Sequence, residues 1–122
     1  MQNKELNSYK NLIVWQKAIE LVVEIYNLTD KLPKSELYGL TSQMRRSAIS
    51  IPSNIAEGRR RGHQKEFIQF LTIAYGSGAE LETQVEIAKK LSFSRDLDYI
   101  KASGLLDEVM RMLNKIINNL RS

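Results

Sequence analysis

Apolar residues recur at intervals of three and four along nearly the whole chain, which is the period of an α-helix. Four segments carry this pattern. Polar residues in the first, about 9–31, form a narrow stripe: Lys17, Glu20, Glu24, Asn27 and Lys31. Nearly everything else there is apolar, including Leu12, Trp15, Ile19, Val22, Val23 and Tyr26. The apolar arc covers well over half the circumference, whereas a surface helix of a monomer shows an arc a little over ~100° wide. Four helices cannot fully bury one of their number, so part of this helix is expected to meet another subunit.

The second segment, about 36–57, has its seam on Leu37, Leu40, Met44, Ala48, Ile51 and Ile55. Pro33 ends the helix before it. Ser35 is the expected N-cap, with Glu36 in the first turn. The third segment, about 64–91, repeats Phe67, Phe70, Ala74, Gly78, Leu81, Val85 and Ala88. Ser94 is the expected cap of the fourth, about 95–120, built on Ala102, Leu106, Val109, Leu113 and Ile117. Connections this short make neighbours antiparallel. The expected fold is all-α, a single domain over residues 1–122 folded as an up-down-up-down four-helix bundle.

Residues 50–62, SIPSNIAEGRRRG, interrupt the second helix. Pro52 lacks the N–H that would bond the Ala48 carbonyl, so a kink is expected there, with Ser47 and Ser53 near the freed carbonyl. Gly58 is expected to stop the helix and turn out the arginines, with Gly62 close behind.

Charge sharpens this picture. The chain of 122 residues has a net charge of +4. Thr41 to Lys65 holds six basic residues and one acid, Glu57, for a net +5; the remainder nets −1. Arg45, Arg46, Arg59, Arg60, Arg61 and Lys65 therefore form the candidate binding surface for a local anionic partner. Arginine's planar fork suits phosphate oxygens, so RNA or DNA held through its backbone is the first reading. An acidic protein partner, with the chain acting as an interaction scaffold, is the second. No aromatic residue is interleaved with the arginines, so base stacking on this stretch is not indicated.

Catalytic chemistry finds no support. There is no cysteine, and His63, the only histidine, reads as a solvated loop residue. A di-iron bundle needs paired Glu-x-x-His motifs; His63 and Glu66 give one pair in reversed order. Glu80, Glu82 and Glu86 fall off the apolar seam. Gly76-Ser77-Gly78 has no following lysine and no preceding strand, unlike a phosphate loop. Mid-helix glycine costs up to ~1 kcal/mol against alanine, so close approach of a neighbouring helix at Gly78 is expected to offset it. The reading is a non-enzyme with no cofactor and no metal. Absence of cysteine, of a signal-like stretch in MQNKELNSYK and of any apolar run beyond four residues favours a cytoplasmic protein with no membrane partner.

Three stretches, YKNLIVWQKAIELVVEIY, ELYGLTSQMRRSAISIPSNIAEGRRR and EFIQFLTIAYGS with AELETQVEIAKKL, cover about three-quarters of the chain. They resemble the small four-helix-bundle family encoded by intervening sequences of bacterial 23S ribosomal RNA genes. SIPSNIAEG and ELETQ are the most specific matches. The resemblance implies a ring, a homopentamer. It also implies kinship with the accessory proteins of diversity-generating retroelements, with nucleic acid and a reverse transcriptase as expected partners. Arg45, Arg46, Asn54, Glu57, Gly58 and the arginines after it fall on the family's motif. Gly78 departs from it, since leucine more often follows Gly-Ser in the family.

Overall fold

The computed structural model describes residues 8–122; the polar start of the N-terminal segment, residues 1–7, lies outside them. Four long helices make up the described chain: α1 (Ile13–Thr29), α2 (Ser42–Arg60), α3 (Gln64–Ala88) and α4 (Ile100–Arg121). Each packs against its chain neighbours, and α4 closes the square on α1, while α1 and α3 lie diagonally across it, as do α2 and α4. One end gathers the start of α1, the end of α2, the start of α3 and the end of α4: Arg60 lies over the Tyr9 ring, and Gln64 donates to the Leu120 carbonyl. The architecture is the up-down-up-down bundle expected.

Leu21, Ile25, Met44, Ile51, Ile55, Leu71, Leu81, Val109 and Leu113 fill the core with their side chains fully buried. Each such side chain stabilises by about 1.5–3 kcal/mol relative to exposure. The polar stripe of α1 faces α4, where Lys17 pairs with Glu108 at 3.7 Å and Lys101 with Glu24 at 3.5 Å.

Helix ends differ from expectation in instructive ways. A short 3-10 turn, Tyr9–Asn11, precedes α1, and the extended backbone of Leu12 separates the two. A 3-10 turn (Lys34–Glu36) and a wide turn (Leu37–Thr41) lead into α2. The cap there is the Glu36 side chain, which accepts from the Leu40 N–H, and not Ser35. Leu37, expected in the seam, is exposed on this turn.

Gly58 does not stop α2. The helix runs on to Arg60, and the chain reverses at Gly62, whose φ of +79° suits glycine. Gly58 is instead buried against α3: a Cβ there would stand 2.6 Å from the Phe70 Cβ. The helix also continues through Pro52, where Asn54 donates to both the Ser50 carbonyl and hydroxyl.

Helix α4 begins at Ile100, five residues after the expected start. Ser94 is turned inward, and its hydroxyl donates to the Ala88 carbonyl at 2.7 Å, closing the end of α3. Tyr99 in turn donates to the Ser94 carbonyl at 2.7 Å. Tyr99 holds the N-cap position of α4 without a side-chain cap, and Asp98 just before it accepts from the Ile100 N–H.

Candidate nucleic-acid interface

The six candidate cations fall in two groups at opposite ends of α2. Arg46 and Arg60 are fourteen residues apart on one helix, about 21 Å along its axis.

At the α2 start, Arg45 is half-buried and committed within the fold. Its Nε donates to the Thr29 hydroxyl at 2.9 Å, its Nη2 bonds Asp30 at 2.9 Å, and its guanidinium lies 4.3 Å from the Tyr26 ring centroid. It clamps the end of α1 to the start of α2. Arg46, one residue on, is exposed. It borders a shallow groove of about 600 Å³ with Tyr26, Tyr38 and Ile49.

The other end holds Arg59, Arg60, Arg61 and Lys65. Each arginine lies over an aromatic ring: Arg59 over Phe67 at 5.7 Å, Arg60 over Tyr9 at 5.5 Å, Arg61 over Phe70 at 5.0 Å. Such cation–ring contacts stabilise exposed cations by about 0.5–1 kcal/mol. The aromatic residues missing between the arginines in sequence are thus supplied beneath them by the α1 approach and α3. Arg61 also pairs with Glu57 at 2.9 Å and Glu66 at 3.2 Å. The hydrogen bond that Arg61 donates to Glu57 leads in raising its pKa above the usual guanidinium value. Lys65 is exposed at the start of α3.

Sequence reasoning left Lys10 and Arg121 out of the candidate surface. The chain brings both to this same end, beside Tyr9 and Leu120. Their distance in sequence from the arginine run gave no signal; only antiparallel closure of the bundle unites them. The end thus carries Lys10, Arg59, Arg60, Arg61, Lys65 and Arg121 against Glu57 and Glu66. His63, Gln64 and Gly62 line a recess of about 440 Å³ there with Arg59 and Phe67.

No group of three or more potential metal ligands occurs among the described residues. Among them, too, no helix is long and apolar enough to cross a membrane.

Residues 10–115 match the family model described as 23S rRNA-intervening sequence protein. The chain belongs to this family. Among solved structures, a protein of unknown function from the S23 ribosomal protein family of Bacteroides thetaiotaomicron superposes with a TM-score of 0.77 at 27% identity. The match covers 86% of this chain and 98% of that one. No curated protein matches the chain. The family match takes in all six candidate cations and the whole of the α2–α3 reversal.

Proposed function

We propose that this member of the family is a non-enzymatic homo-oligomer that binds RNA or DNA through its basic end. The observation that carries this reading is the convergence of Arg59, Arg60, Arg61 and Lys65 with Lys10 and Arg121 on one end of the bundle. Arginine presents N–H donors in a planar fork, and phosphate oxygens accept from such a fork. Arg45 contributes by fixing helix ends rather than by contacting phosphate. Arg46 belongs to the far end of α2.

Assembly as a ring, the pentamer implied by the resemblance, sets several such ends side by side. A bend of α2 at Pro52 would shape each copy for its neighbours. Cytoplasmic location, and association with a reverse transcriptase, belong to the same reading. The expected experiment is titration of a labelled RNA at two ionic strengths. For a single strand, three to five phosphate contacts imply a loss of roughly 20- to 130-fold in affinity between 50 and 200 mM salt. Reversing Arg59, Arg60 and Arg61 to glutamate should abolish binding. Binding absent at low salt, or indifferent to that reversal, would sink the reading. Arg61 already takes two carboxylates as partners, so an acidic protein is the second reading; a captured partner that survives nuclease treatment would favour it.

A further inference from the structure

Besides the groove at Tyr38 and Ile49, two strips that carry exposed apolar side chains lie on α1 and α3. On α1, Ile19, Val23 and Tyr26 follow one another at four and three residues, with Val23 55% exposed. On α3, Ile73 and Ile87 stand 51% and 46% exposed, with Gly76, Glu80 and Thr83 between them on the same face. The α1 strip lies on the α2 side of its helix, since Tyr26 sits under Arg45 while the polar stripe faces α4. The α3 strip also lies on the α2 side: Ser77, one turn after Ile73, meets the Ser50 hydroxyl at 2.8 Å, whereas Glu82 and Glu86 face α4 across a cleft. The two strips therefore flank α2 on either side, on helices diagonal in the bundle. One strip cannot meet its own copy and satisfy the other. A head-to-tail contact satisfies both with a single kind of interface, and such contacts generate rings when they close.

Their heights match. Arg45 bonds Thr29 and Asp30 at one end of α2, and Arg60 reaches Tyr9 at the other. Ser50 meets Ser77, and Gly58 abuts Phe70. Through α2, these contacts set Ile19 level with Ile73, Val23 with Gly76 and Tyr26 with Glu80, to within about one turn. Rotation about an axis parallel to the helices keeps equal heights facing. Gly76 has no atom within 4 Å of where a Cβ would stand, so it leaves a notch at the height where Val23 projects. Charge agrees: Glu80 is exposed on the α3 strip and Arg46 on the α2 edge beside Tyr26, near one height, and neither forms an ion pair among the described residues.

Resting on the homo-oligomer reading above, we propose that the α1 strip of one copy packs in parallel on the α3 strip of the next. Val23 fills the Gly76 notch, Arg46 faces Glu80, α2 lines the inside and α4 faces out. Helix α4 suits that outer position: beyond Ile100 in its first turn, it exposes no large apolar side chain.

The chain has no cysteine, so cross-linking tests the contact directly. A mixture of Val23→Cys and Gly76→Cys copies, treated with a short bis-maleimide, should give a covalent dimer. Neither variant alone should. A dimer from Val23→Cys alone would mean a self-paired face and overturn the proposal. Light scattering adds a second arm. A Cβ at Gly76 meets nothing of its own chain within 4 Å, so Gly76→Leu should keep the helical circular dichroism, fill the notch and drop the mass to 14.0 kDa. Charge reversal at Arg46 or Glu80 should weaken assembly, and the double swap should restore it. Unmodified protein at 14.0 kDa would remove the oligomer reading itself. An oligomer unmoved by Gly76→Leu would overturn this contact alone.

Discussion

Gly58 sits in the last turns of α2, where an added Cβ would come 2.6 Å from the Phe70 Cβ and 3.3 Å from a Phe67 ring carbon. A backbone-linked Cβ cannot swing aside as the far end of a side chain can. Gly58→Ala should therefore cost about 1–3 kcal/mol, read as a lower denaturation midpoint at unchanged slope. Gly78 is held on the other side of the bundle, where Met110 occupies the space a Cβ would need. The expected packing at Gly78 takes the form of the Met110 side chain lying against the glycine. Gly104 differs from both, being exposed in the interior of α4 with nothing within 4 Å. Gly104→Ala should stabilise by up to ~1 kcal/mol through helix propensity, and a denaturation curve shifted the other way would mean that α4 is covered. The three glycines look alike in sequence. What separates them is the identity of the facing side chain, set by helices far away along the chain.

The elements were legible where periodicity alone decides them, and less so where side chains choose between two carbonyls. All four helices and most of their seams follow from three-four spacing. The α3–α4 connection does not, because Ser94 followed by Asp96 has the pattern of an N-cap. Ser94 instead turns inward to the Ala88 carbonyl, drawn by burial of Tyr99 and packing of Leu97 on the core. Tyr99 anchors this connection through its bond to the Ser94 carbonyl. Burial pushes the Tyr99 phenol above its usual pKa. The folded chain thus holds that proton more tightly than the unfolded one. This contribution to stability is intact below about pH 10, the unfolded phenol value, and fades as pH rises toward the folded one. Tyr99→Phe should cost about 1 kcal/mol near neutral pH by removing its bond to the Ser94 carbonyl, which keeps only the Leu97 N–H as a donor. It should also remove the phenol's share of the alkaline loss. Paired urea titrations at pH 7 and above pH 10 measure both effects.

For the whole molecule, the arginine run was visible as charge but not as a surface. Its rings come from Tyr9 on one side and from Phe67 and Phe70 on the other, and its companions Lys10 and Arg121 from the two flanks of the chain. Rotation about the ring axis would leave every basic end on the same rim, because the helices of all copies run alike. A strand crossing that rim meets several weak sites in succession, and each contact raises the effective concentration for the next. Gly76→Leu lies far from the basic end, about 18 Å along α3 from Gln64, and leaves its residues unchanged. Its affinity for a long single-stranded RNA should nevertheless fall by about 100-fold or more, the range that linked sites lose on separation. A short oligonucleotide that spans one copy should bind the variant and the unmodified protein alike. Fluorescence anisotropy with the two RNA lengths separates these outcomes: equal loss on both would place part of the binding surface at the Gly76 face, and no loss on either would mean that each basic end acts alone.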